Sequence, residues 1–243
     1  MDDLHHADNA NPAGLIMDRL ADAAWDQLAG IAPDVLNLDE IALQAEISPK
    51  AARAAAGSGI NLILHQMTRL DRQALLESLA DIEDAGNVSI REMILEAMMH
   101  RFEIYAPYKA QIAQLNDAAR RNPLLGLRLL DRLSEAMRGL LLMVGDDLSG
   151  IRGEARLRGV AVVAMMVAPV WQKDESADLS LTMSEIDKRL AQAEEWARTL
   201  RVLDAPDSDT GTGTGTGTGS GDAPNTGTSK ADTTNVENGN TYQ

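Results

Sequence analysis

The chain has 243 residues, no cysteine and a formal net charge of −15. The missing thiols exclude disulfides, thiolate metal centres and cysteine nucleophiles. The acid surplus argues against broad contact with a phosphate backbone, which asks for a basic footprint. Aromatic side chains make up only 3% of the chain while methionine numbers 11, so the core must come from Leu, Ala, Val and Met. That set adapts to ordinary helix packing or to an apolar ligand.

Met1–Asn11 is acidic and polar, with neither the basic start nor the apolar middle of a secretory signal. A cytoplasmic location is the expectation, and residues 1–13 read as a disordered lead. From Gly14 to Gly30, the apolar spacing of Leu15, Ile16, Leu20, Ala23, Ala24 and Leu28 predicts an amphipathic helix. Leu38–Ala45 predicts a second, short helix with Asp39 and Glu40 in its first turn. Ser48-Pro49 is an N-cap followed by proline at the first helical position, opening a third helix that stops at Gly57.

Ser58 caps a long helix to about Ile82, with a stripe through Ile60, Ile63, Leu64, Met67, Leu70, Leu75 and Leu79. Asp84-Ala85-Gly86-Asn87 breaks it. Ser89 then caps a helix from Ile90 to about Tyr105, and Pro107 opens another that ends near Asn122. Pro123 begins a Leu-rich helix ending at Gly145, a further helix covers Arg152–Trp171, and Leu181–Leu200 forms the last. No strand pattern occurs. From Asp204 a Gly/Thr-rich, acidic, low-complexity run predicts a flexible tail.

Within the eighth helix lies GVAVVAMMVAPVW, Gly159–Trp171, with no charged residue between Arg158 and Lys173. Thirteen residues are too few to span a bilayer, which needs about 20. Pro169 is expected to break or kink the helix near its end. A helix apolar all round needs cover from its own domain, a second subunit or a greasy ligand. Together with Leu124–Val144 it exceeds what one packing face requires, so a homodimer interface and an internal apolar pocket are both expected. Met98, Phe102, Met137, Leu141, Met165 and Met166 are the candidate lining residues.

The three short helices have helix-turn-helix proportions, which would present Lys50 and Arg53 to DNA. Yet between Gly14 and Gly57 seven acids stand against three bases, a balance of −4. The rest of the third helix is mostly alanine, whose methyl cannot read a donor and acceptor pattern. Nucleic acid is therefore not the expected partner. His65 and His100 lie on different helices, and Glu96, four before His100, is a lone Glu-x-x-x-His pair rather than a metal motif. Nucleophile elbows, phosphate loops and dinucleotide fingerprints are missing. The sequence points away from catalysis, and no metal or cofactor is expected.

Several short stretches resemble the lipid-binding accessory protein of ubiquinone biosynthesis, whose fold is that of TetR-type regulators. Met99–Lys109 (MHRFEIYAPYK) resembles that family's Arg-Leu-Glu-Leu-Asn-x-Pro-Tyr segment, and Val144-Gly145-Asp146 its Ala-Gly-Asp, with Arg156 placed like a family arginine after the loop. Trp171–Asp178 (WQKDESAD) resembles Gln-Asp-x-Ser-x-Asp, Ile186–Leu190 (IDKRL) its Leu-x-x-Arg-Leu, and Gly59–His65 (GINLILH) its Gly-x-x-Leu-x-x-His. The departures are Ala55-Ala56-Gly57-Ser58 for an aromatic-Pro-Arg-Gly, Gly153-Glu154 for a Trp-Tyr pair that docks the partner hydroxylase, and the tail for a membrane-touching helix.

The resemblance implies an all-α, TetR-like protein: a head over 14–57, a lipid-binding and dimerisation domain over 58–203 and a disordered tail over 204–243. It further implies a non-enzymatic homodimer, peripheral at the inner face of the membrane. Such a protein would bind an isoprenoid quinone or phospholipid and serve a ubiquinone-biosynthesis hydroxylase. The competing expectation is a TetR-family transcriptional regulator.

Overall fold

A computed structural model describes residues 12–203 except Asn87. The lead before Pro12 and the Gly/Thr-rich tail from Asp204, both read above as disordered, lie outside the described residues. Among the described residues there are nine α-helices, one 3-10 turn and no strand.

The head comprises α1 (Pro12–Leu28), α2 (Leu38–Gln44) and α3 (Pro49–Ala56). Asn37 caps α2 by accepting from the Asp39 amide at 2.9 Å, and Ser48 caps α3 by accepting from Ala51 at 3.2 Å. Each replaces a bond that the first turn of a helix cannot make internally. Ser58 caps α4 (Gly59–Ala85) in the same way, and Ser89 and Glu92 form a reciprocal capping box at the start of α5 (Ile90–Tyr105). A 3-10 turn, Ala106–Tyr108, then leads into α6 (Lys109–Arg121). Asn122 accepts from two amides of α7 (Pro123–Met143), and α8 (Gly150–Trp171) and α9 (Ser180–Leu203) complete the bundle.

The helices depart from the sequence reading in several places. α1 begins at Pro12, inside the stretch read as lead. Pro107 opens a 3-10 turn rather than an α-helix. Helix α8 runs through Pro169 to Trp171, and a proline so close to the end gives up one hydrogen bond without a further turn to disrupt.

Two cores share the same pair of helices. A small one joins α1, α2 and α3 to the start of α4 through Leu20, Ala24, Ile41, Ala52 and Leu62. A large one joins the bundle, and it begins one residue later on α1, at Trp25, and one residue later on α4, at Ile63. Consecutive helix residues point about 100° apart, so α1 and α4 present one face to each core. Head and bundle are thereby packed into one compact unit.

Candidate functional site

A cavity of about 250 Å³ lies in the bundle, walled by α4, α5, α6, α7 and α8. Most of its wall is apolar: Met67, Phe102, Leu115, Leu133, Met165 and Trp171 are representative. Trp171 is fixed there by its indole N–H, which donates to the Phe102 carbonyl at 3.0 Å, and its ring lies 5.6 Å from that of Phe102. Gly126 also lines the cavity, on the same wall as Leu129 and Leu133 of α7.

One end of the cavity is polar and charged. Arg101 lines it, and the Arg101 Nε donates to Asp71 Oδ1 at 2.9 Å. Tyr105 donates its hydroxyl to the same oxygen at 3.1 Å and to the Met67 carbonyl at 3.2 Å. Arg132 approaches the other Asp71 oxygen at 3.6 Å, too far for a hydrogen bond, and holds Thr68 Oγ1 at 3.1 Å. Asp71 Oδ2 and Arg132 Nε are both buried with no hydrogen-bond partner. Burial, followed by the Asp71 charge, pushes the Tyr105 hydroxyl well above its ordinary pKa, so it remains a donor. Burial disfavours the charged form of Arg101, but Asp71 and Tyr105 outweigh it and leave its pKa raised.

The six residues expected to line a pocket separate into three groups. Phe102 and Met165 line this cavity. Met98, Met137 and Leu141 are fully buried in the large core and do not reach it. Met166 is half-exposed on the outside of α8, in a stripe with Val162 and Met165. Its own domain covers α8 on one side only: Val163, Ala164 and Val167 are buried, while Val162, Met165 and Met166 face outward at about 45% exposure.

The sequence reading missed Asp71, Arg101, Tyr105 and Arg132. Their signal was register. Asp71 sits four residues after Met67 on the buried stripe of α4, and Arg101 lies four before Tyr105 and three after Met98 on α5. A charge at a core-facing register is buried and therefore paired.

On the head, Lys50 and Arg53 are both exposed on α3. Arg53 is held by Asp39 through two contacts of 2.8 and 3.1 Å. Lys50 has no partner among the described residues. The acid surplus of residues 14–57 is smaller than a count over the head alone implies, because α4 answers part of it. Arg69 lies 2.7 Å from Asp22 and 3.6 Å from Asp18, and Asp18 is also hydrogen-bonded to His65 at 2.7 Å.

His100 turns Nε2 toward Asp81 at 2.9 Å and Glu96 at 3.6 Å, and Nδ1 toward Glu103 at 3.6 Å. Asp81, Glu96 and His100 could each offer a ligand atom to a cation. The hydrogen bond to Asp81 already occupies Nε2, and the group ties α5 to α4 as it stands. Past the bundle, Arg156 grips Asp146 with bonds of 2.5 and 2.7 Å, which hold the Asp146 carboxyl below its ordinary pKa. The family-like segment Asp174–Ser176 is also structural. Burial disfavours the Asp174 charge, but the Ser176 and Thr182 hydroxyls and amides outweigh it and draw its pKa far down.

A short helical head carried on a long α4, with an apolar cavity in the helical bundle behind it, defines an all-α, TetR-like fold. Among solved structures it is similar to the TetR transcriptional regulator from Nitrosomonas europaea ATCC 19718, at TM-score 0.59 and 17% identity over 74% of this chain and 99% of that one. A candidate TetR-family regulator from Mesorhizobium loti MAFF303099 aligns at TM-score 0.49 and 11% identity, over 76% and 98% of the two chains, too distantly to bear on the fold. No protein-family model and no curated protein matches the sequence. The comparisons lend the ubiquinone accessory reading no support beyond this shared fold.

Proposed function

We propose that this chain is a ligand-responsive regulator of TetR type, acting as a homodimer. The supporting observation is the continuity of α4. Its first turn carries part of the head core through Leu62, and Met67, less than one and a half turns further on, enters the cavity wall. A ligand in the bundle and a helix-turn-helix in the head would thus bear on one rigid element. The outward stripe of Val162, Met165 and Met166 is the surface on which a second copy would complete the cover of α8. No step of this reading needs catalysis.

The cavity also bears on the earlier lipid expectation. A cavity of about 150 Å³ holds benzene, so about 250 Å³ admits a ligand of roughly ten heavy atoms. A polyprenyl quinone or a two-chain phospholipid is several times larger. The enclosed part takes a small, largely apolar ligand, and the cavity opens to solvent beside Leu130 and Met165.

The test is fluorescence anisotropy with the chain's own upstream DNA against a scrambled duplex, across a salt series. Specific binding that persists at physiological salt supports the regulator. Equal binding to both duplexes, or none, supports a second reading in which the protein binds its ligand without acting on DNA. That second reading is favoured by one observation: of the two α3 cations, Arg53 is already neutralised by Asp39.

A further inference from the structure

The polar end of the cavity is out of charge balance. Asp71, with 4% of its side chain exposed, is the single carboxylate hydrogen-bonded or ion-paired to two guanidiniums, Arg101 at 15% and Arg132 at 21%. Tyr105 and Thr68, whose hydroxyls bond to this cluster, are neutral. The cluster therefore carries a surplus of one positive charge, in a chain whose net charge is −15. An unbalanced charge on largely covered guanidiniums is costly, and Arg132 Nε and Asp71 Oδ2 are unsatisfied as well.

Of the two arginines, Arg101 is the one that lines the cavity. Its Nε is taken by Asp71 and its guanidinium lies 4.7 Å over the Tyr105 ring. Beyond the Tyr105 hydroxyl, its two terminal nitrogens have no hydrogen-bond partner among the described residues. A planar fork of free N–H groups matches a carboxylate better than any neutral or cationic head group. Every other wall is dominated by aliphatic or aromatic side chains.

We propose that the cavity selects a small amphiphile bearing one negative charge, its carboxylate seated on the free edge of Arg101 and its hydrocarbon tail running between α6, α7 and α8. This rests on the reading of the cavity as a ligand site and adds its chemistry. The anion closes the surplus charge, while the tail fills the wall formed by Leu115, Leu133 and Met165. A medium-chain carboxylate of about eight carbons has the heavy-atom count that the volume allows.

Isothermal titration calorimetry with three probes of equal tail length, octanoate, 1-octanol and octylammonium, tests this on the full chain at neutral pH. Octanoate is expected to bind about tenfold tighter than 1-octanol, the difference between a charge-assisted and a neutral hydrogen-bond pair. Octylammonium is expected to bind weakest. Arg101→Met leaves Asp71 paired one to one with Arg132, and it should keep 1-octanol binding while losing the octanoate preference. If wild-type protein binds 1-octanol as well as octanoate, the charge selection is wrong and the apolar site stands. If none of the three binds, the ligand site falls and the proposal with it. If Arg101→Met keeps the preference, the seat is not Arg101. Should that variant not fold, the wild-type ranking of the three probes still decides.

Discussion

At the scale of single residues, the structure depends on a few buried carboxylates whose partners differ in kind. Asp71 anchors two arginines from two other helices and receives the Tyr105 hydroxyl. Asp71→Leu would leave both guanidiniums without a counterion, and removing one partner of a buried ion network costs about 3–5 kcal/mol. Urea unfolding at pH 7 should show a loss in that range, whereas Asp39→Ala, on an exposed pair, should shift stability by less than about 1 kcal/mol. Asp174 is buried among donors instead of cations: Ser176 and Thr182 supply hydroxyl and amide bonds, and its backbone carbonyl accepts from Lys109 at 2.5 Å. Its folded pKa is depressed, so the sign follows directly. The stability it adds is present above its unfolded pKa, about 3.9, and fades as pH falls from there toward the folded value. Wild-type and Asp174→Asn proteins should therefore differ most near neutrality and converge in strong acid. A difference in unfolding free energy that grows below pH 4 would refute this assignment.

At the scale of helices, most of the fold was written in local signals. Ser48, Ser58 and Ser89 cap the helices that their positions predicted, because a cap is a contact within four residues. Apolar spacing located the buried stripes of α1 and α4 for the same reason. What local spacing left hidden is which side chains meet across helices: Asp71 and Arg101 are 30 residues apart, and Asp71 and Arg132 are 61 apart. Three of six candidate lining residues consequently proved to be solid core. The loop before α8 shows the same contrast. The replacement of a family Trp by Gly153 looked like a lost docking residue, yet a Cβ at this position would collide with the Leu148 backbone. Gly153→Ala should destabilise the protein by about 1–3 kcal/mol through overpacking, measurable as a drop in thermal midpoint. Helix α8 makes the complementary prediction. Its outward stripe at 162, 165 and 166 follows i, i+3, i+4 spacing. Val162→Lys with Met166→Lys places two charges on that stripe while leaving the cavity-lining Met165 in place. Sedimentation should show a dimer in the wild type and a monomer in the double variant. A wild-type monomer at micromolar concentration would remove the second copy as the cover of α8.

At the scale of the whole molecule, the question is whether the cavity and the head share one equilibrium. Gly59 and Met67 are separated by about 12 Å of helix axis, at about 1.5 Å per residue. Over that distance α4 passes from the head core to the cavity wall, and Asp18–His65 and Asp22–Arg69 lock α1 onto it. A ligand that moves the cavity wall would move the seat of the head with it, provided that it binds the two arrangements unequally. Coupling between two such sites is typically worth about 5–150-fold in affinity. Lys50 supplies the reference for the DNA side: Lys50→Ala should weaken binding to all duplexes alike and lower the salt slope by about one, without altering ligand affinity. Anisotropy titrations with and without the tighter eight-carbon probe then give a coupling factor. Reciprocity fixes its counterpart, since calorimetry of the probe in the presence of saturating DNA must return the same factor. Equal DNA affinity with and without ligand, in protein shown to bind both, would mean that α4 carries no signal and that the cavity serves some function other than control of the head.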